Sequence, residues 1–168
     1  MPTTTTAKEE HQKRWQEIVG DPLLSDLPYK TETNHRGQIV LSPRRFSHSQ
    51  LQRAIQKKLD AVLTGGEVFP ECPITTGKGV RQADVTWASE SRVREMEGAG
   101  DPPTVAPEIC IEVMSGPGGW DEMKEKRKLY QEAGAEEVWI VTEEGEVHFF
   151  AEEKLQASGI AKEFPSEL

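Results

Sequence analysis

At 168 residues with 35% hydrophobic side chains, the chain is long enough to bury one ordinary core, so neither a disulfide nor a structural metal is needed to hold it together. A formal net charge of −9 weighs against a polyanionic partner, because long-range repulsion slows encounter with phosphate backbones. No run approaches a membrane span and the opening MPTTTTAKEEHQKRW lacks the apolar centre of a signal peptide, so the composition reads as a soluble, cytoplasmic protein.

A disordered Thr-rich start leads into AKEEHQKRWQEIVG, where Trp15, Ile18 and Val19 share one side and Gly20 and Pro22 supply a stop. This predicts a helix lying across the surface, so that residues 1–20 form a tail and helix ahead of a single domain over 21–168. Residues Tyr29 to Thr33 and Gln38 to Ser42 alternate weakly around NHRG and predict a hairpin that ends at Pro43. Beyond it, SHSQ reads as a capping box, Ser47 with Gln50, ahead of Leu51, Ile55, Leu59 and Val62 at helical spacing, with Gly65 and Gly66 as the stop. Between Pro43 and Leu59 there are five Lys or Arg and no acid. That run is either a solvated helix face or an electropositive strip carrying Arg44, Arg45 and Arg53 toward a phosphate chain.

Two strands follow, EVFPECPIT and VRQADVTWA, joined by TGKG; the prolines demote the first to a sheet edge. In the second, Ala83, Val85 and Trp87 are expected on one face and Gln82, Asp84 and Thr86 on the other. Residues Ser89 to Thr104 read as a long polar connection, a candidate lid or contact loop. Then come a strand PEICIEVMS, a helix Asp121 to Ala133 closed by Gly134, a strand EVWIVT, a turn EEGE, a returning strand VHFFAE, and a tail SGIAKEFPSEL that adds one more short strand. The two cysteines, Cys72 and Cys110, lack a second Cys or His at ligand spacing, which suits a reducing compartment and a role as small buried hydrophobes. With neither an internal repeat nor a second-domain signal, the order of elements points to a mixed α/β (α+β) fold: a central mixed sheet, an N-terminal hairpin and flanking helices.

One acid is out of place in this pattern. Period two puts Ile109, Ile111 and Val113 on one face of PEICIEVMS and Cys110, Glu112 and Met114 on the other, both otherwise apolar, as in a central strand. An ionised carboxylate there costs several kcal/mol, on the order of the effective burial penalty of an ion, unless a cation or several donors satisfy it. A buried salt bridge is the plain answer. In the next helix Met123, Lys126, Tyr130 and Ala133 share a face, which turns Lys126 inward while Lys124, Glu125, Lys128 and Glu132 face water. Asp84 supplies a second carboxylate on a polar strand face. Lys126 could simply neutralise both acids. Two carboxylates on neighbouring strands also suit Mg²⁺ or Mn²⁺, and a lysine beside them can orient or deprotonate water and neutralise charge on a phosphate in the transition state.

Taken together, RQADVTW, PEICIEVMS and EKRKLYQEAGAEEVWIV, with GQIVLSP and SHSQLQRAIQKKL upstream, resemble the Uma-type restriction endonucleases, a bacterial branch of the PD-(D/E)XK nuclease superfamily. The likeness runs from about Tyr29 to Phe150. It implies a restriction-endonuclease-like core over 21–168, DNA as the partner, Mg²⁺ or Mn²⁺ as cofactor and, where both strands are cut, a homodimer. Residue by residue it assigns Asp84 and Glu112 as metal ligands, with the backbone carbonyl of Val113 adding a third. The superfamily's lysine two positions past the glutamate is replaced by Met114, and the branch's lysine, four residues before a tyrosine, matches Lys126 before Tyr130. The helix-leading histidine matches His48, as an accessory group or as a surface or capping histidine; Tyr130 is a further accessory candidate. Ala83 stands where the family usually has proline, SGPGGW replaces its Ser-Pro-Ser/Thr run and loosens the loop ahead of Lys126, and Thr142 replaces an aspartate. The implied activity is phosphodiester hydrolysis in DNA. The alternative is a catalytically inactive nuclease-fold protein acting as a nucleic-acid-binding or assembly module, in line with the acidic net charge.

Overall fold

The computed structural model describes residues 6–115 and 118–168. The Thr-rich start expected to be disordered lies, up to residue 5, outside the described residues, as do Gly116 and Pro117 of the glycine-rich run.

Helix α1 (Ala7–Val19) begins at Thr6, whose hydroxyl accepts from the Glu9 N–H while the Glu9 carboxylate accepts from the Thr6 N–H, each at 3.1 Å. His11, Trp15 and Ile18 form the buried stripe at intervals of four and three, and Trp15 and Ile18 pack on Val80. Val19, expected on that stripe, is 60% exposed, because a step of 100° from Ile18 carries it off the face. The hairpin pairs β1 (Lys30–Thr33) with β2 (Ile39–Ser42) and forms its own two-stranded sheet.

Helix α2 (Phe46–Val62) starts before the expected box: Arg45 is the N-cap and contributes no side-chain bond, and Ser47 lies inside the first turn, so the Ser47–Gln50 capping box does not form. Its buried residues His48, Gln52, Ile55 and Leu59 recur at helical spacing. The main sheet runs β3 (Gly66–Thr76), β4 (Gly79–Ser89), β5 (Ile109–Val113), β6 (Glu137–Val141), β7 (Val147–Phe150) and β8 (Lys154–Leu155), in that spatial order. Strand β3, with Pro70 and Pro73, sits at the edge as expected. Strands β5 and β6 are parallel, which requires a crossover, and α4 (Gly119–Glu132) supplies it; the other neighbours are antiparallel.

The central strand divides the core as its period predicts. Ile109, Ile111 and Val113 pack with Ile55 and Leu59 of α2, whereas Cys110 packs with Met123 and Tyr130 of α4 and with Ala133 at its C-cap. Both cysteines are free and buried in the α4-side cluster. Each fully buried Ile or Leu of these clusters contributes roughly 1.5–3 kcal/mol relative to exposure. Ala83 departs from the expected face: it packs with its register partner Cys72 in the α4-side cluster, apart from Val85 and Trp87. The strand pair is irregular there, since Glu71 has φ 51° and lies between the paired residues Pro70 and Cys72.

Two connections also differ from expectation. Residues Ser89 to Thr104 contain α3 (Glu90–Glu97), capped by the Ser89 hydroxyl accepting from the Arg92 N–H. Arg92 then donates to the carbonyls of Ala106 and Gly134, and Pro102 accepts from Gln12 and Thr75. That segment is pinned to the body and is no lid. The tail forms an isolated bridge, Glu146 with Glu167, instead of a strand, and it inserts Ala161 and Phe164 into the core. It is anchored by Glu137, whose carboxylate accepts from Trp139, Ser158, Gly159 and Ile160.

What docks the hairpin on the sheet matters for the site. Gly79 has φ +95°, and a Cβ there would sit 2.3 Å from the Thr33 carbonyl oxygen, so only glycine lets β1 approach the start of β4. Val80 N–H donates to Thr33 Oγ1 at 2.8 Å and Gln82 N–H to Glu32 Oε2 at 2.8 Å.

Candidate active site

The β4–β5 ladder ends at the pair Val85 with Ile111, and continuing its register by one residue sets Asp84 opposite Glu112. There the ladder gives way: the Val113 N–H donates to Asp84 Oδ2 at 2.8 Å. Two acids thus face each other at the end of a ladder, each 1% exposed.

Helix α4 closes one side. Lys126 Nζ lies 3.6 Å from Glu112 Oε2 and 3.2 Å from Glu32 Oε1, and one turn later the Tyr130 hydroxyl donates to Glu112 Oε1 at 2.6 Å. The hairpin closes another. From β1, Lys30 Nζ is 3.0 Å from Asp84 Oδ1 and 3.0 Å from Glu112 Oε2, bridging the acids. Helix α2 contributes His48, with Nε2 3.3 Å from Asp84 Oδ2, and Gln52, whose amide donates to the Asp84 carbonyl at 3.1 Å. His48 Nδ1 is buried with no hydrogen-bond partner among the described residues.

These neighbours divide the two acids electrostatically. Burial pushes the Asp84 carboxyl up, but the Lys30 ammonium, His48 and the Val113 N–H outweigh it and hold Asp84 well below the usual carboxylate range. For Glu112 burial prevails, pushing it up to about 7; Lys126 and Lys30 pull down while the Asp84 and Glu32 charges push up further. Burial also opposes charge on Lys30 and Glu32, yet Glu112, Asp84 and Glu32 hold the ammonium well above its ordinary value, and Lys30 and Lys126 keep Glu32 below its own. Burial, with Glu112 beside it, raises the Tyr130 phenol.

The cluster opens into a cleft of about 240 Å³ whose wall includes Ser42, Arg44, Val113 and Ser115. Of the residues singled out in the sequence, Asp84, Glu112, Val113, Lys126, His48 and Tyr130 converge here. His48 is 5% exposed and inside the cluster, neither a surface nor a capping histidine. Arg44 lines the cleft and pairs with Glu71. Arg45 and Arg53 stay outside, exposed along α2, where Arg53 lies beside Phe46 and Lys57. Lys30 and Glu32 were not anticipated. The available signal was KTET itself, in which two opposite charges fall two apart and share one face of a strand.

Asp84 Oδ1 and Glu112 Oε2 already converge on one cation, an ammonium, and both are hard oxygen donors suited to Mg²⁺ or Mn²⁺. Among the described residues no cluster of three or more His, Cys, Asp or Glu is arranged to hold a metal. A divalent cation here would rest on two carboxylates, with water, backbone and substrate oxygens completing its shell. The acids would also have to draw in, since Mg²⁺ holds its ligands at about 2.0–2.1 Å.

A family model described as "Uma2: Putative restriction endonuclease" matches residues 21–167. The fold is shared with the crystal structure of "a putative nuclease belonging to DUF820" from Anabaena variabilis, at 18% sequence identity and a TM-score of 0.66, over 82% of this chain and 86% of that one. No curated protein sequence matches the chain. No helix among the described residues is long and apolar enough to cross a membrane.

Proposed function

The chain belongs to the Uma2 family of "putative restriction endonucleases", and on that premise we propose that residues 21–168 form a metal-dependent endonuclease that hydrolyses phosphodiester bonds in DNA. The observation that carries this reading is the convergence of Asp84 and Glu112 on a single cation with Lys126 alongside. Asp84 and Glu112, with the Val113 carbonyl, would hold Mg²⁺ or Mn²⁺, which when bound supplies a Lewis acid for the scissile phosphate and a water of lowered pKa.

The chain's own groups then divide the remaining work. Glu32 Oε1, 3.2 Å from Lys126 Nζ, fixes the ammonium at the cleft, where it orients the attacking water and offsets negative charge growing on the phosphate. The Tyr130 hydroxyl and Val113 N–H lock one oxygen of each acid, leaving Glu112 Oε2 and Asp84 Oδ1 for the cation. Arg44 on the cleft wall, the exposed Arg45 at the N-cap of α2 and the exposed Arg53 on α2 supply positive charge for the substrate backbone, a local exception to the acidic total.

The decisive experiment is cleavage of supercoiled and linear DNA in Mg²⁺ or Mn²⁺, with a chelator control. Glu112→Ala and Asp84→Ala should each abolish cutting; nicking that survives Glu112→Ala unchanged would refute the assignment.

One observation favours a second reading, a non-catalytic nucleic-acid-binding module: Lys30 already satisfies both acids without a metal. Calorimetric titration with Mn²⁺ in the presence of DNA separates the readings, since saturable heat lost in Asp84→Ala belongs to the nuclease alone.

A further inference from the structure

We infer that Lys30 is the resident counter-cation of the site, a residue that holds Asp84 and Glu112 in register in the metal-free protein and must swing out before a divalent cation can bind. This rests on the proposal that the two acids are metal ligands, and it adds a step and a residue that the metal ligands alone do not supply.

Geometry comes first. Lys30 Nζ contacts Asp84 Oδ1 and Glu112 Oε2 at 3.0 Å each, the two oxygens left free by the Val113 and Tyr130 donors. A metal held by those oxygens would therefore take the same space. Lys126 does not compete for it, because its closest carboxylate is Glu32 and its 3.6 Å approach to Glu112 is not matched at Asp84.

Charge gives the second argument. With all three acids ionised, the carboxylates of Asp84, Glu112 and Glu32 face two ammoniums, Lys30 and Lys126, each of these residues no more than 6% exposed. One negative charge is left over. A divalent cation added to that set would turn the deficit into a surplus of one, in a place where uncompensated charge is costly. A divalent cation exchanged for Lys30 brings the set to neutrality. Exchange is thus favoured over addition.

The chain can accommodate it. Lys30 is the first residue of β1, while the bonds that fix the hairpin to β4 lie further along, at Glu32 and Thr33. The preceding residues Pro22, Leu23, Ser25, Asp26, Pro28 and Tyr29 are exposed, so the side chain can leave toward water without unpacking the core.

The test reads Lys30 directly in the wild-type protein. Amine acylation followed by mass spectrometry is run with and without saturating Mn²⁺, using exposed Lys58 and buried Lys126 as references, and Mn²⁺ affinity is measured by calorimetry for the wild type and Lys30→Met. Lys30 labelling should rise several-fold on Mn²⁺ saturation while both references stay constant. Lys30→Met should bind Mn²⁺ on the order of tenfold more tightly, because the metal no longer has to break two buried ion pairs. Binding by the wild type with Lys30 still protected overturns the inference alone, whether or not the variant folds. Absence of binding in both proteins overturns the metal-site reading itself.

Discussion

Asp84 and Glu112 are equally buried and equally close to Lys30, yet their neutralisation should affect stability in opposite directions. Asp84→Asn removes a charge that Lys30, His48 and the Val113 N–H all favour. Its folded pKa lies below the ordinary 3.8, so its stabilisation is present above about that pH and is lost as the pH falls. At pH 8 the loss should be about 3–5 kcal/mol, the range for removing one partner of a buried pair. Glu112 has the opposite sign. Its folded value of about 7 exceeds the ordinary 4.5, so the native state binds more protons between those limits and stability falls as pH rises through that window. At 1.36 kcal/mol per pKa unit, ionising it costs the fold about 3 kcal/mol by pH 8. Glu112→Gln, which imitates the protonated acid, should therefore be at least as stable as the wild type at pH 8 and close to it near pH 4.5.

The assay is urea and thermal unfolding followed by circular dichroism in chelator. With roughly 2–4 °C of melting temperature per kcal/mol for a chain of this size, Asp84→Asn should melt about 6–20 °C below the wild type. Glu112→Gln should not melt lower at pH 8. If it loses as much stability there as Asp84→Asn, the division of roles between the two acids is wrong.

Two further outcomes are expected of the proposed nuclease. Lys126→Met should lower the cleavage rate by about 10²- to 10³-fold, the usual span for removing one group that stabilises charge in the transition state, measured at saturating Mn²⁺ so that any change in metal affinity does not enter; a rate within twofold of the wild type would remove Lys126 from the mechanism. Replacing exposed Arg45 and Arg53 by serine should weaken DNA binding and flatten the dependence of log K on log salt by about 0.9 for each lost phosphate contact, with unfolding free energy within roughly 0.5 kcal/mol of the wild type. An unchanged salt slope would place the substrate path elsewhere.

The elements read most accurately in the sequence are those governed by short-range periodicity. Glu112 stood out because its neighbours two apart are apolar on both faces, and the structure buries all five residues of β5. The inward turn of Lys126 and Tyr130 followed from spacings of three and four, which a helix converts into one face regardless of what it packs on. The misreadings occur where local cues compete. Ser47 and Gln50 satisfy a capping pattern, but the helix begins at Phe46 and places Ser47 within its first turn. Residues Ser89 to Thr104 are polar enough for a loop, yet Ser89 caps a helix and Arg92 ties it to two distant carbonyls.

By itself, the sequence determined the mixed α/β order, the edge position of β3, the buried acid on the central strand and the lysine and tyrosine that face it. These depend on contacts a few residues apart, where geometry follows from the period of the chain. Tertiary structure decided which cation stands between the acids. Lys30 reaches Asp84 and Glu112 across 54 and 82 residues of sequence, and it does so because Gly79 admits the hairpin and Glu32 and Thr33 bind β4. Nothing in the spacing of KTET encodes that docking. A buried charge advertises its need for a partner locally, but the partner is chosen by the packing of elements distant in the chain.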